Sequence, residues 1–286
     1  MAKRIITAIV GISIGIMFMF LHKTIAYPLA VACIAAGSVH ELLTCCKAGS
    51  KQFPTHYIWC LIFAVMIPML TWFDAISYTW KLFAACVIVF LMFAGYVADN
   101  KKLSFSKLAI MVTVTCLVTL STTCLISLVK LDEIHGVCYV VMSLIAAWVP
   151  DAGAYFVGSA LGKHKMCPEI SPKKTWEGAV GGIVVTAAVF AAYCTIYRMV
   201  QASRGIMFDV NYFYITIMVV IAAVISIFGD LSASLIKREY EIKDYGTFFP
   251  GHGGFADRFD SVYFVLPFML FTFNAFGGHI FIRSIS

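Results

Sequence analysis

The sequence predicts an all-α, polytopic integral membrane protein, and three observations carry that reading. The 286-residue chain is 61% hydrophobic and only 13% charged, with a mean hydropathy of +0.91, where a soluble domain carries about 25% charged residues. Apolar runs of about 20 residues, the helical length that crosses roughly 30 Å of hydrocarbon, recur from end to end. The ten cysteines are scattered without paired zinc-ligand spacing, and only Cys45-Cys46 are adjacent. They read as small buried hydrophobes, not as the framework of a disulfide-stapled fold.

Nine spans follow in order. The first, 5–21, is preceded by Lys3 and Arg4 and has the outline of a signal peptide. The HKTIAYP that follows offers no small-x-small cleavage site, and another apolar segment begins at once, so the span is expected to be retained. Spans 25–43, 57–73, 82–98 and 108–129 come next. Span 137–160 encloses Asp151, span 178–197 follows, span 212–235 encloses Asp230, and span 261–278 is the last. Loops 22–24, 74–81 and 130–136 are short, which makes their flanking helices antiparallel neighbours. No internal repeat is evident. Most of the 21 Lys and Arg fall on the side of the N-terminus, which the positive-inside rule assigns to the cytoplasm, with the C-terminus outside. Two longer, charge-rich connections, 161–177 and 236–260, then face the cytoplasm.

The two halves differ in kind. Residues 1–135 form an N-terminal transmembrane region in which Glu41, Asp74, Asp99, Asp132 and Glu133 all sit in loops or at span ends. Residues 136–286 form a second transmembrane region that places Asp151 and Asp230 inside spans. A carboxylate at the bilayer centre costs at least about 2.5–3.5 kcal/mol, so such groups face a bundle interior or a wet cavity. Chemistry is expected in this second half.

The polar stretch KDYGTFFPGHGGFADRFD, 243–260, is the densest concentration of reactive groups. If DRFD opens the ninth helix, Asp257 and Asp260 share one face, an arrangement that suits a hard cation such as Mg²⁺. An interfacial helix start with acids at the positive end of the dipole, paired to Arg258, has the same pattern. Gly251, Gly253 and Gly254 around His252 are fit to expose backbone N–H groups to phosphate oxygens, or simply to form a turn behind Pro250. Upstream, Asp230, Ser234 and Lys237 lie on one helix face, followed by Arg238, Lys243 and Asp244; a snorkelling Lys-Arg pair explains the cations but not Asp230. In DAGAYFVGSALGKHK (151–165), Gly153, Gly158 and Gly162 fit close helix packing. In SPKKTWEG, Lys173 and Lys174 are placed to neutralise phosphates or anionic headgroups, or the segment is a capped helix start with Pro172 near its first turn. Carboxylates for metal, cations for phosphate and glycines for close approach together fit phosphoryl or nucleotidyl transfer at a membrane surface.

These stretches resemble a known signature. In Ser234–Asp260 the order S-x-hydrophobic-K-R, K-D, P-G-H-G-G and D-R-hydrophobic-D closely resembles that of the CDP-diacylglycerol synthase (phosphatidate cytidylyltransferase) family, and 151–165 and 171–178 look like its other shared segments. The specific likeness covers roughly 151–260. It implies CTP and phosphatidic acid as substrates, CDP-diacylglycerol and pyrophosphate as products, required Mg²⁺ within a two-metal centre, and a homodimer. By motif it also implies metal ligation by Asp230, Asp257 and Asp260 and a functional Lys237. Ser234, Arg238, Lys243, His252, Gly253, Gly254 and Arg258 would then hold phosphates, with Lys173 and Lys174 beside them and Asp151 and Asp244 behind. The setting implied is a bacterial-type inner or plasma membrane, with the site facing the cytoplasm and no nucleic-acid partner. A relative acting on another lipid acceptor is the rival within enzymes. An ion-coupled transporter using Asp151 and Asp230 is the rival from another class; it predicts paired interrupted helices, of which the sequence gives no sign.

Overall fold

The structure, a computed structural model, describes residues 13, 15–98, 102–249, 251 and 253–283. Lys3, Arg4 and residues 5–12 and 14 of the first expected span lie outside them, as do Pro250 and His252, while residues 15–20 of that span are helical. Among the described residues seven helices are long and apolar enough to cross a membrane, and the chain is an integral membrane protein of helical class. They are α1 (Ala26–Cys45), α2 (Pro54–Trp72), α3 (Tyr78–Ala98), α4 (Phe105–Leu131), α5 (Gly136–Leu161), α6 (Trp176–Ala202) and α7 (Tyr212–Glu239). A short helix α8 (Ala256–Phe259) and a last apolar helix α9 (Val262–Ile280) follow. The eight longer helices fall where apolar runs stand in the sequence, several of them extended beyond the expected span.

The chain folds as two compact units, residues 1–127 with 239–259, and residues 128–238 with 260–286. This division differs from the one drawn at residues 135/136, because the 239–259 segment groups with the N-terminal helices.

In the first unit, α1 buries Tyr27, Val31, Ala35, Ser38, Leu42 and, among them, Glu41. The spacing of three to four residues makes one face. Tyr27 donates its hydroxyl to Leu125 O at 3.2 Å, which satisfies a phenol that burial would otherwise penalise. The helix ends where Lys47 adopts a left-handed conformation (φ 52°). Ala48 N–H then reaches back to Leu43 O (2.8 Å) and Lys47 N–H to Thr44 O (3.2 Å), so the last carbonyls are capped by a Schellman motif without glycine. Pro54 opens α2, where its missing N–H costs nothing. α3 is almost wholly exposed within its unit, with Phe83, Phe90 and Phe93 outward, as a helix facing hydrocarbon would be.

In the second unit, α5 and α6 approach backbone to backbone. A Cβ at Gly178 would lie 2.8 Å from Ala154 O, one at Gly182 2.5 Å from Pro150 O, and one at Gly153 3.1 Å from Gly182 Cα. The glycines of the sixth expected span therefore serve close helix packing. The start of α6 is capped by Thr175, whose hydroxyl accepts the Gly178 N–H at 3.1 Å. Pro172 is not in the first turn of this helix: Ser171–Thr175 is a strand, β2, paired antiparallel with β1 (Lys165–Cys167). A second small ribbon pairs β3 (Phe208–Val210) with β4 (Phe281–Arg283). Neither ribbon was expected, since such short strands show no alternation to read. Both Ser226 and Ser261 donate their hydroxyls to Ala147 O (2.7 and 3.2 Å), which ties α7 and the start of α9 to α5.

Candidate functional site

The second unit gathers three of the acids and two of the lysines singled out by sequence. Asp151 comes from the middle of α5, Asp230 from α7, and Asp260 from the chain just ahead of α9. Lys174 Nζ forms a close ion pair with Asp230 Oδ2 and lies 3.5 Å from Asp151 Oδ1. Lys237, two turns along α7 from Asp230, brings its Nζ to 3.9 Å from Asp260 Oδ2. Local structure explains the convergence. Gly229 lets α7 approach the start of α9, because a Cβ there would fall 3.0 Å from Ser261 Cα and 2.9 Å from the Phe264 ring. Strand alternation in β2 sends Lys174 inward and leaves Lys173 exposed, a choice between two adjacent lysines that the sequence left open.

The electrostatics are those of an acid-rich cluster partly compensated by ammonium groups. Burial drives the Asp260 carboxyl well above the ordinary range, to about 7, and the neighbouring Asp230 charge pushes the same way; Lys237 offsets this only in part. For Lys174 burial works to lower the ammonium pKa, but Asp230 and Asp151 outweigh it and the net direction is upward. Lys174 is therefore held as a cation.

In the first unit the signature loop folds around a different pair of carboxylates. Asp257 Oδ2 accepts the Tyr245 N–H at 2.8 Å and the Gly254 N–H at 3.0 Å. Glu41 Oε2 accepts the Ala256 N–H at 2.9 Å. The loop tip closes through Phe249 N–H to Gly253 O at 2.8 Å, with Gly251 and Gly253 both at positive φ (79° and 81°), where a side chain would be strained. Gly254 spends its N–H on Asp257, so the amide that sequence reasoning offered to a phosphate is already taken by protein.

Other expectations meet different surroundings. DRFD does not open the ninth helix: Ala256–Phe259 is a short helix of its own, and Asp260 stands in the turn between it and α9. Asp260 Oδ1 then accepts the Ser261 N–H (2.8 Å), a local bond that competes with the helical ladder. Arg238 is exposed and donates from Nε to Ile170 O at 3.4 Å, bracing the β1–β2 turn. Ser234 is half-buried, while Lys243, Asp244 and Arg258 are exposed. Glu41 was missed: an acid near the end of an apolar run reads as interfacial, although it stands four residues inside α1 and is buried.

Among the described residues no group of three or more His, Cys, Asp or Glu side chains stands ready-made to hold a metal. The donors nonetheless fit a hard cation. Asp151, Asp230 and Asp260 bring three carboxylates against two ammonium groups, and carboxylate oxygens are the donors such an ion takes.

The profile of the Cytidylyltransferase family matches residues 2–276. A phosphatidate cytidylyltransferase of Bacillus subtilis (strain 168) is 34% identical over 279 residues, covering 96% of this chain and 98% of that protein. Proteins of the same name from Haemophilus influenzae (38% identical over 142 residues, 50% of this chain and 48% of that one) and Staphylococcus haemolyticus (37% over 134 residues, 47% and 48%) are also similar. With a profile match running nearly end to end and a relative aligned over almost the whole of both chains, the protein belongs to the Cytidylyltransferase family.

Proposed function

We propose that the protein is a phosphatidate cytidylyltransferase, transferring CMP from CTP to phosphatidic acid to give CDP-diacylglycerol and pyrophosphate. The observation that carries this reading is the near full-length similarity to a phosphatidate cytidylyltransferase, in a chain that sets lysine-paired carboxylates among apolar helices. The acceptor is a phosphate monoester with a second pKa near about 6, largely ionised at neutral pH, so little base catalysis is needed. The obstacle is bringing one anion to another. Lys174 and Lys237 are the cations held closest to the buried acids, and they would offset phosphate charge as it enters. Asp230 and Asp260 would hold Mg²⁺, with Asp257 assigned to the metal by its motif and a second metal of unassigned identity. When bound, the metal supplies charge neutralisation on the reacting and departing phosphates.

In the same reading the chain crosses the membrane nine times with the N-terminus in the cytoplasm. The basic residues on the N-terminal side support this orientation, which turns 161–177 and 236–260 toward cytoplasmic CTP. The setting is a bacterial-type inner or plasma membrane, and the protein acts as a homodimer. His252, Gly253, Ser234, Lys173, Arg238, Lys243 and Arg258 are retained as phosphate-binding groups and Asp244 as a supporting one.

The test uses purified protein in detergent with phosphatidate, Mg²⁺ and CTP labelled at the α-phosphate. Label moving to the lipid phase as pyrophosphate appears, and disappearing in Asp260→Asn, is expected. Absence of transfer by folded protein, or transfer undiminished in Asp260→Asn, overturns the activity or the site respectively.

A further inference from the structure

The N-terminal helix α1 receives the signature loop along one face. At Gly37 a Cβ would lie 2.8 Å from the Phe255 ring, so the ring rests directly on the α1 backbone. Phe255 is itself enclosed by Phe248 and Phe249, with ring centroids at 4.5 and 5.0 Å. Four residues on, and hence on the same face, Glu41 takes the Ala256 N–H. Gly246 and Gly254 both lie against the Glu41 carboxylate so closely that neither has room for a Cβ. Glu41 thus touches both arms of the loop. Asp257 fastens the same two arms from inside, through Tyr245 N–H and Gly254 N–H. A buried carboxylate without partners is costly, and Glu41 meets that cost by ordering backbone amides of this loop.

We propose that Glu41 is a positioning residue of the transfer reaction. It fixes the 245–257 loop against α1 and, through that loop, sets the place of Asp257. The glycines at 246 and 254 follow from the same arrangement: they make room for a carboxylate of the protein. Apolar packing of Phe255 on Gly37 supplies adhesion, while Glu41 supplies register, because a charged acceptor engages a particular backbone N–H more strongly than a neutral one. The inference rests on the assignment of Asp257 to the reaction.

Full-length Glu41→Gln, Glu41→Asp and Asp257→Asn are compared with the parent in detergent, by steady-state kinetics, thermal unfolding and amide hydrogen exchange. Displacing a reacting group by even about 1 Å costs up to roughly a hundredfold. Glu41→Gln is expected to lower kcat about tenfold or more, with KM for CTP shifted far less. Exchange should quicken at Ala256 and Gly254 while α2 and α4 keep their protection, and Glu41→Asp should recover part of the kcat. The proposal is overturned if Glu41→Gln turns over normally, or if its loss of activity merely tracks a fall in thermal stability with exchange quickened throughout the chain. Normal turnover in Asp257→Asn would instead overturn the assignment of Asp257, and a normal Glu41→Gln beside an inactive Asp257→Asn refutes the positioning role alone.

Discussion

Replacing Lys174 with Met removes the ammonium that bridges two acids. Lys174 Nζ lies 3.5 Å from Asp151 Oδ1 and closer still to Asp230 Oδ2, and the three side chains are 19%, 35% and 23% exposed. At 3.5 Å two unit charges attract by about 5 kcal/mol at an effective dielectric of 20, and desolvation takes most of that back. Stranding the partners of a fully buried pair costs about 3–5 kcal/mol. Water reaches part of each side chain here, and screening brings the expected loss to about 2 kcal/mol. The sharper prediction concerns sign. In the Lys174→Met background, Asp230→Asn removes a stranded charge, so the double variant should be more stable than Lys174→Met alone. Asp230→Asn in the parent gives up an ion pair and should be destabilising. Thermal unfolding of the four proteins in one detergent at neutral pH measures the cycle. If the two substitutions add within about 0.5 kcal/mol, the bridge contributes nothing and the electrostatic account of this cluster is wrong.

Two further outcomes concern the same cluster. Gly229→Ala places a methyl group 2.9 Å from the Phe264 ring and 3.0 Å from Ser261 Cα; overpacking of this kind costs about 1–3 kcal/mol, and α7 must retreat from Asp260. Unfolding and transfer assays should both fall, and unchanged values in both would contradict the packing. The Asp260 carboxyl is raised from 3.8 to about 7 in the folded protein, so between these limits the native state holds more protons than the unfolded one. Its contribution to stability is complete below pH 3.8 and is lost as pH rises through about 7. In metal-free buffer, stability should therefore decline across this window more steeply for the parent than for Asp260→Asn. Equal slopes would show that Asp260 is not the group responsible.

The helices were legible because each is an apolar run of membrane length. Asp151 and Asp230 stood out for the complementary reason, an acid where hydrocarbon should be. What escaped the sequence depended on contacts between distant residues. Glu41 stands over 200 positions ahead of the Ala256 amide that it binds, and nothing in its neighbourhood names that partner. The loop glycines were recognisable as sites of close approach, but the approaching group is a protein carboxylate at Gly246 and Gly254. Lys173 and Lys174 became distinguishable only once β2 supplied its two-residue alternation. The DRFD spacing suggested a start to the ninth helix, whereas a turn at Asp260, with its carboxylate on the Ser261 N–H, separates the short helix from α9.

The glycine seam between α5 and α6 also has a mechanical consequence. Contacts between backbones have no side-chain rotamers through which one helix can slip past the other, so the pair behaves as a stiff plate. Asp151 projects from this plate and Lys174 sits at its edge, one residue before the Thr175 cap of α6. Their separation is thereby set by main chain, as on a fixed jaw. Asp230, Lys237 and Asp260 come instead from α7 and from the chain leading into α9, outside this plate.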